Sequence, residues 1–429
     1  MKRLSYFLIL LFLTAMTACQ NNKPEEANDI PPAAGTSIIL PGGFHATVVT
    51  DSLGGRARHI AVNANGDIYV QMSRLHNGKG LAALRDTTGD GIADQVEYFG
   101  GHTGTGMAIS GGYLYCSSDV AVYQYDLPKD GALLPDEGSK VEIAGGFPEQ
   151  REHAAKSLAF DEAGNMYVNV GAPMNACQEE NRVAGSPGQD PCPLLELQAG
   201  IWKFDANKPG QQHGVDDVHY ASGIRNAVAL DWNQTANSLF AVQHGRDQLS
   251  QFWPDLFTGK ENAELPAEEF FQINEGDFFG WPYCFFNHLE GKKLLNPEYG
   301  GDGKTVGRCA SAKKPILGFP GHLAPNDLLF YEGNSFPEKY RHSAFIAFHG
   351  SWNRAPLEQK GYFVAFVPFA DGKVAGDWEI FANGFAGMKH VASPGDAKHR
   401  PMGLATGPDG ALYVADSVKG KIWKITYGG

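Results

Sequence analysis

One local pattern recurs six times and narrows the folds open to this chain. A turn carrying Gly or Asn is followed by an apolar residue, an aromatic and a small apolar residue. It reads NANGDIYV at 63–70, SGGYLYC at 110–116, DEAGNMYV at 161–168 and GPDGALYV at 407–414. Weaker copies are QTANSLFAV at 234–242 and HSAFIAF at 342–348. The Gly supplies the positive φ of a tight hairpin, and the alternation after it marks a strand buried between packed sheets. A β-sandwich also alternates, but it does not reproduce one motif six times. Irregular spacings of several tens of residues suit blades that are each a four-stranded sheet. The expected fold class is all-β, a six-bladed β-propeller. The last copy runs on through 419–425 into an outer strand placed to close the ring with residues 44–49. The long gap between the fourth and fifth copies reads as a decorated loop region.

The bulk properties agree. The chain has 429 residues, 43% of them hydrophobic, enough to bury a large core, and its 53 Gly and 11% aromatic residues suit strands and turns. No long stretch keeps a helical period. A net charge of −13 argues against nucleic acid and against electrostatic binding to an acidic membrane surface. Basic residues gathered at one place are then a local exception in a negative field.

The N-terminus reads as an export signal. Lys2 and Arg3 precede an apolar core at 4–13 that is too short to span a membrane. Met16-Thr17-Ala18-Cys19 resembles a bacterial lipobox, which implies lipidation of Cys19 and sorting to the periplasmic face or outer membrane of a Gram-negative cell. Two or three acyl chains hold a soluble domain far better than one. The expected organisation is a lipoprotein signal peptide at 1–18, a flexible tether at 19–36 and the propeller at 37–429. Cysteine usage suits an oxidising compartment. Cys177 and Cys192 bracket one Gly/Pro/Asn-rich loop and Cys284 and Cys309 another, so each pair can staple an insertion, while Cys116 in a strand reads as a buried free thiol.

Polar clusters follow or precede the apolar strands. His349-Gly350-Ser351-Trp352-Asn353-Arg354 follows the run Ala344–Phe348. Taken alone it reads as a turn whose Trp352 packs on the sheet while Asn353 and Arg354 face water. Arg151-Glu152-His153, Arg225-Asn226, His244-Gly245-Arg246-Asp247 and His399-Arg400 stand at comparable blade ends. Propeller strands converge on a central channel, so Arg225, Arg246, Arg354 and Arg400 are expected to face one another. Such a cluster is costly unless a polyanion neutralises it. Separately, Asp86, Asp90 and Asp94 in DTTGDGIAD space oxygens around a Gly turn like a short structural calcium loop, with a plain Asp/Gly turn equally open.

Several segments together carry a family resemblance: YASGIRNAVAL, QHGRD, GWPYC, FYEGNSFPEKYR, HGSWNRAP with GYFVAFVPF, and RPMGLATGPDGALYVAD. The combination resembles the pyrroloquinoline quinone (PQQ)-dependent sugar dehydrogenases, in particular the sorbosone dehydrogenase-like branch related to the soluble glucose dehydrogenases. It covers about residues 40 to 427. The resemblance implies a quinoprotein that oxidises an aldose or related sugar aldehyde by hydride transfer to PQQ, then passes electrons to a cytochrome or quinone pool. It implies His153 as general base, Arg225 as the group polarising the quinone oxygen, and Asn226, His244, Asn353, Arg354 and Arg400 around the cofactor. It also implies the backbone carbonyls of Gly245 and Arg246 as ligands of a catalytic Ca2+. PQQ has three carboxylates and an ortho-quinone, which arginines and a hard cation suit. Ala172 stands where the soluble glucose dehydrogenases have an Asp orienting the base, so Glu152 is the expected substitute. His244 and Arg246 replace a Gln and a Pro, and glucose specificity does not carry over. The alternatives are a calcium-dependent propeller lactonase or hydrolase, and a non-catalytic propeller binding sugar or protein.

Overall fold

A computed structural model describes residues 36–129 and 131–428. The signal peptide, Cys19 and all but the last residue of the 19–36 tether lie outside the described residues. The chain forms six blade sheets in ring order, antiparallel except that the sheets of blades two and three each carry a short parallel fifth strand. Blades one to five begin at the first strands Ala57–Val62, Met107–Ser110, Leu158–Phe160, Ala229–Asn233 and Pro325–Phe330. Blade six has Pro401–Thr406, Leu412–Asp416 and Ile422–Tyr427, and its fourth, outer strand is Phe44–Thr50 from the other end of the propeller. Phe44 pairs with Tyr427 and Thr47 with Lys424, so the ring closes where the sequence placed the closure.

Each of the six motif copies lies on the second strand of one blade and on the turn before it. All six turns hold a residue in the left-handed region: Gly66, Gly112, Gly164, Asn237, His342 and Gly410. Asn and His are the substitutes in the two copies that were weak in sequence, because an Asn tolerates this region and a His occupies it at some cost.

Alternation assigns the core. Along Ala344–Phe348, residues 344, 346 and 348 enter the cluster shared with blade four, while Phe345 and Ala347 enter the cluster shared with blade six. A strand buried on both faces must read as a continuous apolar run. The six interfaces between neighbouring blades each contain one such cluster. The expected decoration between the fourth and fifth copies holds the short helices Leu249–Phe252 and Gly259–Glu264 and the strand pair Cys284–Asn287 with Lys292–Leu295. Disulfides join Cys177 to Cys192 and Cys284 to Cys309, and Cys116 is a buried free thiol.

Of the two readings open for DTTGDGIAD, the hydrogen bonding is that of an Asp/Gly turn. Asp86 accepts from the amides of Thr88, Gly89 and Gly91, Asp90 from Ile92, and Asp94 from Thr87. The three carboxylates are used to hold a local turn between two strands of blade one, not aimed at a common centre. Among the described residues no group of three or more His, Cys, Asp or Glu converges in the way a metal ion needs.

Phe44 fixes the closing strand. Its ring meets Phe336, Tyr340, Phe381 and Tyr427 edge-on at centroid distances of 4.8–5.3 Å. Phe44→Ala is expected to cost about 3–5 kcal/mol, the usual cost of emptying an aromatic core site. Chemical denaturation checks this, and a loss below about 1 kcal/mol would show that ring closure does not depend on this anchor.

Candidate active site at the channel mouth

Loops that precede first strands and follow second strands meet at one end of the ring. His153 lies before blade three, Arg225 and Asn226 before blade four, His322 before blade five and Arg400 before blade six. His244 to Asp247 follow the second strand of blade four, and His349 to Arg354 that of blade five. These loops enclose a cavity of about 570 Å³, lined among others by His153, Arg182, Arg225, Asp247, Glu268 and Trp352. A second cavity of about 350 Å³, lined by Arg58, Thr105, Asp119 and Asn226, shares His153 and His244 with the first. The two are one depression divided by a pair of imidazoles.

His153 is held from both sides. It adopts φ 54°, and a Cβ on Gly171 would stand 2.7 Å from its Cβ, so Gly171 is needed for the close approach. Gln150 Nε2 donates to the carbonyls of Glu152, His153 and Gly171. His153 Nδ1 lies 2.5 Å from the Ala172 carbonyl. That contact requires Nδ1 to carry the proton, which leaves Nε2 with a lone pair. Glu152 does not orient the base as expected; its carboxylate pairs with Arg182 at 3.0 Å. Nor is the His153 pKa near neutrality. Burial, then the charge of Arg225, push it down to about 3, so the ring is neutral at physiological pH.

Asp247 organises the wall beside it. Its carboxylate accepts from Arg225 at 3.0 Å, Arg182 at 3.1 Å and Asn353 Nδ2 at 3.2 Å. Burial alone would raise its pKa, but Arg225, His322 and Arg182 outweigh burial and hold it well below the usual carboxylate range. Arg225 also donates to the carbonyls of Gly245 at 2.9 Å and Asn175 at 3.3 Å. Arg182 is delivered by the loop that Cys177 and Cys192 staple. Both disulfides, Trp281, Tyr283 and Ala172 form one buried cluster, so the residue that receives the His153 proton donor rests directly on it. Glu268 forms part of the floor. It accepts from the amides of Gly245 and Ala324, and burial lifts its carboxyl to about 7.

The four arginines expected to converge do not. Arg246 pairs with Glu298 at 2.5 Å and Arg354 with Glu264 at 2.6 Å, both inside the insertion and turned from the cavity. Each guanidinium was cheaper to bury against its own carboxylate. Asn353 is also buried and braces Asp247 and His322 instead of facing a ligand. Trp352 is the residue of HGSWNR that faces out, at 48% exposure, which inverts the reading of that segment as a packing turn. Arg400 lines neither cavity but lies close to Arg58. It donates to the carbonyls of His349 and Gly350. Asn226 and His244 line the second cavity, and His244 Nε2 lies 2.7 Å from the Pro325 carbonyl.

Sequence reasoning missed Arg58, Arg182 and Glu268, while Asp247 stood in the blade-four cluster and does pair with Arg225. Arg58 is the second residue of the first strand of blade one, within the basic run Arg56-Ala57-Arg58-His59, and donates to Thr105 Oγ1 at 3.1 Å. Burial lowers its pKa to about 10. Among the described residues neither Arg58 nor Arg400 has a carboxylate within ion-pair distance, in contrast to Arg225, Arg182, Arg246 and Arg354. Strain gathers here too. Of twelve non-Gly residues with positive φ among the described residues, five line the larger cavity: His153, Arg182, Gln248, His322 and Ala324. Such outliers persist where the surroundings over-determine them, which is commonest at functional sites.

Comparison with known proteins shows the family and the fold. A protein of Borreliella burgdorferi described only as uncharacterized is 31% identical over 209 residues, 48% of this chain and 48% of that protein. The pyrroloquinoline quinone-dependent pyranose dehydrogenase of Coprinopsis cinerea is 26% identical over 282 residues, 56% of this chain and 36% of that protein. The chain thus spans half or less of the length of the curated relatives it matches. The solved holo form of the pyranose dehydrogenase PQQ domain from Coprinopsis cinerea has a TM-score of 0.72 at 20% identity, covering 92% of this chain and 98% of that one. At that identity the likeness is one of fold. The kinship with PQQ-dependent sugar dehydrogenases that the motifs imply is therefore found in sequence and architecture. With residues 38–428 matched, the chain belongs to the TrAA12-like family.

Proposed function

We propose that this chain is a PQQ-dependent oxidoreductase acting on a sugar or related aldehyde at the channel mouth. The observation that carries the reading is the pair Arg58 and Arg400. Arg58 lines the second cavity together with Asp119, and Arg400 lies near enough for the two charges to oppose each other; with no carboxylate within ion-pair distance of either guanidinium among the described residues, the pair suits a ligand that brings its own carboxylates. The divided depression has room for a tricyclic tricarboxylate on one side of the imidazoles and a sugar on the other. Arg58 and Arg400 would hold carboxylates, with Asn226 and His244 beside them. Arg225, oriented by Asp247 and Asn175, would favour negative charge on an oxygen placed against it. A calcium ion would draw on the carbonyls of Gly245 and Arg246, with Glu268 on the same floor.

When bound, PQQ supplies an ortho-quinone able to accept a hydride. The protein supplies the proton acceptor. Nε2 of His153 is unprotonated, and its ring is fixed by the Ala172 carbonyl and the Gln150 brace. A sugar hydroxyl placed against Nε2 loses its proton there, and the carbonyl of Ala172 stabilises the imidazolium that forms. The nearby Arg225 charge makes that proton easy to pass on to water. An external electron acceptor completes the cycle. We also propose export and anchoring through acyl chains on Cys19; labelling with palmitate, lost in Cys19→Ser, checks this, and a released wild-type protein would refute it.

Micromolar PQQ with Ca2+ is expected to bind and to support dye reduction with a panel of aldoses. Arg58→Gln should raise the PQQ Kd by about tenfold or more. No cofactor binding to the wild type, followed by titration calorimetry, would overturn the reading. His153→Ala is expected to lower kcat by about 100-fold or more with PQQ affinity retained.

The neutral state of His153 has a pH signature. With its pKa near 3, the free base is present throughout the range above that value, so it contributes no acid limb near 6.5 to kcat/KM. A limb near neutrality is expected to vanish in Glu268→Gln, because the Glu268 carboxyl titrates at about 7. A limb near the ordinary imidazole value that survives that substitution would show that His153 is not held neutral.

A further inference from the structure

The indole of Trp352 is the one tryptophan side chain here that the fold does not use. Six of the seven tryptophans have a ring or hydrogen-bond partner. Trp202 stacks on His219, Trp232 on Tyr167 and Trp378 on Phe363, and Trp423 meets Phe385 edge-on. Trp253 Nε1 donates to Glu298 and Trp281 Nε1 to the Asn175 carbonyl. Trp352 has neither, although it lines the same cavity as His153 and Arg182. Leaving a large apolar ring half exposed forgoes about 25 cal/mol for each Å² not buried. The fold could cover it, since the next two residues, Asn353 and Arg354, are each only 2% exposed. The loop instead buries its polar residues and turns its aromatic outward.

The way it does so is specific. Asn353 is fastened to Asp247 and His322, and Arg354 to Glu264 and the Gly321 carbonyl. Gly350, at φ 78°, starts the turn where a Cβ would stand 2.3 Å from the Tyr362 ring. The backbone on both sides of Trp352 is therefore fixed, and the indole is presented with little conformational freedom to lose on binding.

We propose that Trp352 is the specificity-determining platform for the substrate, stacking against the apolar C–H face of a six-membered sugar ring. A pyranose carries axial hydrogens on one face and hydroxyls around its rim. The face is complementary to an indole, and the rim to Arg182, Glu152 and Ser351, which line the same cavity. An open-chain aldehyde has no such face. The inference rests on the oxidoreductase reading for its turnover consequences, but the binding contact itself does not require the cofactor.

The test uses two readouts. In protein loaded with PQQ and Ca2+, Trp352→Ala should raise KM for aldopyranoses by about tenfold, near the value of one aromatic contact. Changes in kcat, in PQQ affinity and in KM for glyceraldehyde should be much smaller, and Trp352→Phe should restore part of the loss. In the apo-protein, 1,5-anhydroglucitol should quench tryptophan fluorescence in the wild type and not in Trp352→Phe. An unchanged sugar KM in Trp352→Ala, a change in KM for the dye alone, or equal or absent quenching in wild type and variant would overturn the proposal. Trp352-dependent quenching with no PQQ binding would leave the sugar platform standing and remove the oxidoreductase reading.

Discussion

Each sheet in this protein has two apolar faces, and an open row of such sheets would leave one face bare at each end. Only a closed ring buries all of them. Closure is achieved by hydrogen bonding the first described strand to the last, Phe44–Thr50 to Ile422–Tyr427, so the two ends of the propeller are stitched into one blade. The apolar core is correspondingly distributed over six blade interfaces rather than collected at one centre. What is left at the axis is polar. Inner strands present backbone and side-chain groups there, and loops from successive blades must meet across it whatever their sequence separation.

That geometry makes the channel mouth electrostatically uneven. On the side of blades three to five every buried arginine is matched: Arg225 and Arg182 with Asp247, Arg246 with Glu298, Arg354 with Glu264. On the side of blades six and one, Arg400 and Arg58 donate to neutral carbonyl and hydroxyl oxygens. Burial lowers the pKa of both, that of Arg58 to about 10, and a guanidinium stays charged in proteins. The imidazoles of His153 and His244 stand between, kept neutral by the same burial. The matched ion pairs thus lie on one side of the two imidazoles, and the guanidinium groups without an ion-pair partner on the other.

The ring and its closure were legible because they depend on periodicity and on turn stereochemistry, which are local. The copies at 234–242 and 342–348 looked weak only because Asn237 and His342 occupy the left-handed position that Gly holds elsewhere. The positions of His153, Arg225 and Arg400 followed from blade order. Their partners did not. A charged residue in sequence carries no sign of which carboxylate neutralises it, and Glu298 and Glu264 belong to an insertion whose path no repeat predicts. Hence Arg246 and Arg354 were read as ligand-facing when they are structural. Arg58 was passed over although it stands in the basic run Arg56-Ala57-Arg58-His59, because that run carries no Gly turn or family motif to mark it. The HGSWNR segment does line the cavity through Ser351 and Trp352, but which of its residues point outward depends on hydrogen bonds to Asp247, His322 and Gly321 that lie far away in the chain.

The two disulfides sit in one cluster with Ala172, and the carbonyl of Ala172 is what holds the His153 ring. The loop they staple also brings Arg182 to Asp247. Oxidation of four thiols is thus a step in building the proton acceptor as well as in bracing the fold. A chain whose thiols stayed reduced could close its ring, since no blade interface depends on those cysteines, yet would lack the support behind its base. Oxidising conditions would then complete the wall behind His153 after the ring itself has closed.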